Sequence, residues 1–168
     1  IPVCVHTKLS PDLLMRLGRD GIIDGVKDSS GDDVSFRWLC RANEAACHPL
    51  QLLTGHEVVV DGAYMSGADG SVPGLANVDP EGYVRQWQAY ERRDWEAVRT
   101  EQDRLADLMR IVQVKGVQGF GAGVGAFKAA LYLLGVFESP EMPRPVAAIE
   151  GDNMEHVASV LRSVDLLS

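Results

Sequence analysis

Long apolar runs are missing from this 168-residue chain. The apolar runs present are short pieces such as Val58-Val59-Val60, far below the roughly 18 residues that a membrane-spanning helix needs. Hydrophobic residues make up 46% and charged residues 24%, an ordinary globular composition, and no internal repeat or low-complexity tract suggests a solenoid or disorder. Basic side chains are scarce: 16 Lys and Arg stand against 24 Asp and Glu, a formal charge of −8. That sign is wrong for a surface that tracks phosphates, so neither nucleic acid nor a membrane is an expected partner. Cysteine is sparse, with residues only at positions 4, 40 and 47. An odd, scattered set does not make a disulfide framework, and the expected setting is a reducing cytoplasm. A starting Met is also lacking: Ile1-Pro2-Val3 opens inside an apolar stretch, and the expectation is a piece of a longer polypeptide.

What is present alternates short β-branched runs with helical periodicity. Ser10-Pro11-Asp12 has the hydroxyl cap, first-turn proline and acid of a helix start, and that helix should end near Gly18 to Gly21. Residues 22–27 (IIDGVK) then read as a buried strand before the polar cluster DSSGDD. Asp32 or Asp33 caps a second helix, in which Phe36, Leu39, Cys40 and Asn43 share one face. Gln51 to Thr54 reads as a strand, His56 to Met65 as a helix, and Asp69 to Val72 as a very short strand. Strands separated by helices of about 10 to 14 residues imply parallel crossovers and an α/β protein. From Asp79 onward the pattern is helical. Three strands cannot close a barrel, which again points to part of a larger fold.

Lys27 ends an apolar strand, so its ammonium should emerge at the C-terminal end of a parallel strand, where barrel enzymes build their sites. A lysine desolvated there attacks carbonyls to form a Schiff base; the alternative is a lysine that simply pairs with Asp28 or Asp32. Thr54-Gly55-His56-Glu57 and Gly70-Ser71-Val72-Pro73-Gly74 close the other two strands, and small residues there let a ligand approach the backbone. The run Gly119 to Gly125 breaks the spacing of a dinucleotide loop and follows a helix instead of a strand, so it reads as a flexible connection. Cys40, Cys47 and His48 fall outside zinc-site spacings and read as core cysteines, with no metal expected. Trp87, Trp95 and Leu105 to Met109 have helical spacing and read as packing. His6 and His156 have no partner close in sequence.

Gly25-Val26-Lys27-Asp28-Ser29-Ser30-Gly31-Asp32, then Leu53-Thr54-Gly55, then Gly67 to Val78 (GADGSVPGLANV) occur in order and at suitable spacing. On these motifs the chain resembles the C-terminal half of the dihydrodipicolinate synthase / N-acetylneuraminate lyase family over essentially its whole length. The resemblance implies a (β/α)8 TIM barrel, of which this chain would hold about strands 6–8, residues 1–78 belonging to the barrel and 79–168 to a C-terminal helical extension. It implies class I aldolase chemistry without metal or organic cofactor, and a homo-oligomer, tetramer or dimer. Lys27 would form the imine with pyruvate, Gly55 and Val72 would line the pyruvate pocket, and Glu57 would reach toward the second substrate. The proton-relay tyrosine of the family would lie just before Ile1, in the missing N-terminal half.

Departures from the family pattern bear on substrate. Synthases of the family usually carry Arg where this chain has Cys4, and sialic acid lyases usually carry Ser where it has Gly74 and a second Glu where it has Val58. Cys4, His6, Glu57 and Gly74 are therefore the expected distal contacts. The leading expectation is a pyruvate-dependent aldolase that cleaves or forms a 2-keto-3-deoxy sugar acid from pyruvate and an aldehyde. Dihydrodipicolinate synthase activity is the alternative, and a non-catalytic half-barrel subunit is the reading from another class.

Overall fold

The computed structural model describes residues 1–5 and 7–168, with the side chains of Pro2 and Val3 outside that description. The chain divides into two compact units. One comprises Ile1–Pro73 and Gln86–Arg99, the other Gly74–Arg85 and Thr100–Ser168.

The first unit is built on a three-stranded parallel sheet in the order β1 (Gly25–Asp28), β2 (Gln51–Thr54), β3 (Gly70–Ser71). A helical turn α1 (Pro2–Val5) and helix α2 (Pro11–Arg19) precede it. As expected, Ser10 caps α2, its side chain accepting from the Leu13 N–H at 3.3 Å, with Pro11 in the first turn. The helix closes in a Schellman motif: Gly21 is left-handed at φ +66°, its N–H donates to Gly18, and the Ile22 N–H donates to Leu17 at 2.9 Å. This closure corrects the expected strand over 22–27. Ile22 belongs to the helix exit and is 66% exposed, so the strand starts only at Gly25.

Helix α3 (Asp33–Ala45) is capped by Asp32, whose carboxylate accepts from the Ser35 N–H at 2.9 Å and the Ser35 hydroxyl at 2.7 Å. Its buried face is Phe36, Leu39, Cys40 and Asn43, as the spacing predicts. Asn43 is fully buried yet satisfied: its amide donates to the Leu50 carbonyl at 2.8 Å and accepts from the Leu50 N–H at 3.1 Å. It thus acts as an extra strand partner just ahead of β2. Leu50, Leu52, Val60 and Tyr64 fill the core around it, each large aliphatic side chain contributing on the order of 1.5–3 kcal/mol.

Two boundaries differ from expectation. Helix α4 is confined to Val60–Ser66; residues 56–59 form a loop, because the Thr54 hydroxyl takes the His56 N–H and ends regular pairing there. β3 is only two residues long. The core reading also fails for Cys47, which is exposed in a left-handed turn at φ 62°, whereas Cys40 is buried and its thiol is pushed up to about 11 by desolvation. In this unit Tyr64, Trp87, Tyr90 and Trp95 form an aromatic cluster with centroids 5.0–5.9 Å apart. Trp95 sits at its rim, 48% exposed.

Helices α5 (Pro80–Glu91) and α6 (Trp95–Met109) run from one unit into the other. In the second unit Asp79 caps α5 by accepting the Gly82 N–H at 3.0 Å, and the same carboxylate pairs with Arg104. Glu101 ties Arg85 and Arg104 into this network. Helix α7 spans Gly123–Leu133, so the later glycines of the run 119–125 form its first turn, not a flexible connection. A Cβ at Gly125 would stand 3.5 Å from Ile149, and Ala126, Ala129 and Ala130 are fully buried on the same helix. That smooth face lets α8 (Gly151–Ser163) pack closely with its buried Val157 and Leu161. His156 does find a partner, the Arg110 carbonyl at 2.9 Å. No helix among the described residues is long and apolar enough to cross a membrane.

Candidate active site

Lys27 occupies the third position of β1 and pairs in register with Leu53, while Asp28 is level with Thr54 and Thr54 with Ser71. Pairing continues one residue past the regular strands: the Gly55 N–H donates to Asp28 and the Val72 N–H to Thr54, both at 2.7 Å. The ends of three parallel strands therefore lie level and carry Lys27, Gly55 and Val72 onto one rim. That is the face on which parallel α/β sheets bind ligands.

The stem of Lys27 lies directly on the backbone of Gly55. A Cβ at position 55 would overlap Lys27 Cε and Ser29 Oγ and would stand 3.2 Å from Lys27 Nζ. Gly55 is buried, and here glycine is required for close approach rather than for a turn. The alternative fate for Lys27, an ion pair with Asp28 or Asp32, is not realised among the described residues. Asp32 is paired with Lys8, and Asp28 accepts the Ser30 N–H at 2.6 Å.

Ser29 is the residue that sequence reasoning passed over. Its hydroxyl oxygen is buried without a hydrogen-bond partner, and it shares with the Lys27 amine the small volume that a Gly55 side chain would fill. Leaving such a hydroxyl unpaired costs about 1–3 kcal/mol, so it is a group that a ligand or ordered water would satisfy. In the sequence Ser29 is hidden inside DSSGDD, a run that reads as turn chemistry. Indeed its neighbours serve the turn: Ser30 Oγ accepts the Asp32 N–H at 3.2 Å, and Asp32 caps α3. The available signal was that one hydroxyl of the pair had no turn role to fill.

A cavity of about 160 Å³ opens beside β1, lined by Ile1, Val5, Thr7, Lys8, Lys27 and Asp28 among others. The Lys8 ammonium crosses to Asp32 and holds that carboxyl well below the usual carboxylate range. Cys4 lies exposed on α1 and is not among the lining residues. His6 lies outside the described residues. Glu57 is half-buried in the β2–α4 loop and engaged there; beside it His56 Nδ1 stands 3.2 Å from an Asp33 carboxylate oxygen. Val72 follows β3 and is 49% exposed. Gly74 belongs to the second unit, where its carbonyl accepts from the Asn77 side chain at 2.9 Å. The structure thus brings Lys27, Gly55 and Ser29 together and puts Lys8 on the same cavity as Lys27, whereas Cys4 and Glu57 stand apart from that cavity lining.

The profile of the dihydrodipicolinate synthetase family matches residues 1–164. The chain belongs to this family. An uncharacterised DapA-like lyase of Halobacterium salinarum is 30% identical over 168 residues, which cover 99% of this chain and 51% of the relative. Among solved structures, dihydrodipicolinate synthase of Bacteroides thetaiotaomicron is 27% identical with a TM-score of 0.84, across 94% of this chain and 52% of that one. YagE, a prophage protein of the same family from E. coli K12 solved with pyruvate, superposes with a TM-score of 0.88 at 19% identity, across 99% of this chain and 54% of its own. The chain therefore spans about half the length of these family members. Its α/β architecture with three parallel strands is consistent with half of a barrel.

Proposed function

We propose that this chain is the Schiff-base half of a class I, pyruvate-dependent aldolase whose preferred substrate is a 2-keto-3-deoxy sugar acid. Residues 1–78 then supply strands 6–8 of a (β/α)8 barrel and residues 79–168 its helical extension, in a cytoplasmic homo-oligomer. One observation carries the reading: Lys27 lies at the C-terminal end of a parallel strand, stretched over a glycine that leaves room for it, with the buried, unpartnered hydroxyl of Ser29 beside it. The end of the Lys27 side chain and the Ser29 hydroxyl thus meet over the Gly55 backbone.

In this reading the Lys27 amine adds to the 2-oxo carbon and water leaves, giving a protonated imine. The C3–C4 bond then breaks, its electron pair flowing into the imine to give an enamine, while the C4 hydroxyl loses its proton to a base and departs as an aldehyde. Protonation at C3 and hydrolysis release pyruvate and restore the amine. Gly55 and Val72 border the pyruvate portion, and Glu57 accepts hydrogen bonds from hydroxyls of the sugar chain. No metal or organic cofactor enters these steps.

The second reading is dihydrodipicolinate synthase. It is favoured by the likeness to the Bacteroides enzyme and disfavoured by Cys4, since a thiol cannot make the paired, charge-assisted bonds by which a guanidinium holds a carboxylate. The non-catalytic reading requires Lys27 to be idle, which its close approach over Gly55, beside the unpartnered Ser29 hydroxyl, speaks against. Steady-state assays of the native polypeptide decide among these. The proposal expects a higher kcat/KM for cleaving a 2-keto-3-deoxy sugar acid than for condensing pyruvate with aspartate semialdehyde. The reverse order restores the synthase, and no turnover with either restores the non-catalytic subunit.

A further inference from the structure

The run DSSGDD sets two acids side by side at the start of α3, and a helix needs only one of them as its cap. Asp32 fills that role, its carboxylate accepting the N–H and the hydroxyl of Ser35. Asp33 is the first residue of α3. Its carboxylate reaches the next strand connection, where Oδ1 stands 3.2 Å from Nδ1 of His56, 23 residues further along the chain.

His56 is fixed at three points. Its N–H donates to the Thr54 hydroxyl at 3.2 Å, its carbonyl accepts the Val59 N–H at 3.4 Å, and its ring meets Asp33. The first anchor is firm because Thr54 is buried at the end of β2. The two backbone bonds shape the turn 56–59 from within, whereas the ring contact ties that turn to another element. Glu57 is the next residue in the turn. The Asp33–His56 pair therefore joins the connection after β1, which carries Ser29, to the connection after β2, which carries Glu57, across two strands that pair with each other.

We propose that Asp33 is a positioning residue that acts through His56: by holding the imidazole it fixes the turn from which Glu57 reaches the hydroxylated end of the substrate. This rests on the reading of Lys27 as the imine-forming lysine and of Glu57 as a distal contact, and adds what keeps Glu57 in place. A neutral imidazole suffices, since Nδ1–H can donate to the carboxylate. The side chains of His56 and Asp33 are 33% and 60% exposed, and a pair this open to solvent adds little to the stability of the fold. Its effect is local: a loop pinned at one more point has less freedom to lose when substrate binds.

The test is a double-mutant cycle in the native polypeptide, with 2-keto-3-deoxyhexonate as the cleavage probe and borohydride trapping of pyruvate read in parallel. Asp33→Ala should lower kcat/KM by about three- to tenfold, the size of one ordinary hydrogen bond, while pyruvate traps on Lys27 at the wild-type rate and the unfolding midpoint moves little. Asp33→Asn, which keeps an acceptor oxygen for Nδ1–H, should retain most of the activity. In a Glu57→Ala background the Asp33→Ala change should cost less than about twofold, because the group it positions is already gone. Equal losses in both backgrounds, no loss from Asp33→Ala, or a loss in Asp33→Asn as large as in Asp33→Ala overturns the proposal, and with trapping on Lys27 intact the aldolase reading stands. Unchanged kcat/KM in Glu57→Ala alone overturns the proposal together with the role of Glu57. Absence of trapping in the unsubstituted protein overturns the aldolase reading, trapping without cleavage of the probe overturns the sugar-acid reading, and either result takes this proposal with it.

Discussion

Lys27 and Gly55 form a matched pair across β1 and β2: the lysine stem passes where a side chain on residue 55 would be. Gly55→Ala must push Lys27 aside, and overpacking a tight site costs about 1–3 kcal/mol. The expected outcome is a rate of pyruvate trapping reduced at least tenfold with a modest fall in melting temperature. Wild-type trapping in Gly55→Ala would mean that the amine works from another position.

Ser29 separates function from stability. Replacing a buried, unpartnered hydroxyl by a methyl removes an unsatisfied group, so Ser29→Ala should leave the midpoint of denaturant unfolding unchanged or raise it, by up to about 1 kcal/mol. The same change should lower kcat/KM, because the ligand loses the hydrogen bond for which the hydroxyl is held. A loss of stability together with unchanged turnover would assign Ser29 to the fold alone.

Glu57→Gln keeps shape and removes charge. It should lower kcat/KM for the sugar acid while pyruvate still traps on the lysine, a contrast that mass spectrometry and a coupled cleavage assay read separately. Loss of trapping would place Glu57 at the imine and not at the distal chain.

In the second unit, Asp79 is 5% exposed at its side chain and faces Arg104, with Arg85 at 3.9 Å. Removing one partner of a buried pair leaves an uncompensated charge. Arg104→Ala should therefore destabilise by about 2–3 kcal/mol, toward the low side because Arg85 remains near. Gly82→Ala should be similarly harmful, since a Cβ there would lie 2.5 Å from the Arg104 guanidinium and 2.6 Å from Asp79. Equal unfolding midpoints for wild type and Arg104→Ala would dismiss the network as a stabilising element.

Much of this architecture is legible in the sequence, for identifiable reasons. The caps at Ser10 and Asp32 and the buried stripe Phe36, Leu39, Cys40, Asn43 are local patterns whose chemistry needs no tertiary information. Lys27 was visible because a basic residue closes a β-branched run. What was hidden depends on how turns resolve. Ile22-Ile23 looks like the start of a strand until Gly21 adopts its left-handed conformation and draws Ile22 into the helix exit. Cys47 looks apolar by type, yet its place in a left-handed turn leaves it exposed. Ser29 was invisible for another reason: its significance lies in the contact with a residue 26 positions away, Gly55.

The central claim is that Lys27 forms an imine with pyruvate, and reductive trapping tests it most directly. The native polypeptide is incubated with pyruvate and sodium borohydride, digested, and mapped across the four lysines of this chain, Lys8, Lys27, Lys115 and Lys128. The account predicts a reduced pyruvate adduct on Lys27, and none after Lys27→Ala. An adduct on Lys8, Lys115 or Lys128 in its place, or no adduct at all, would contradict it.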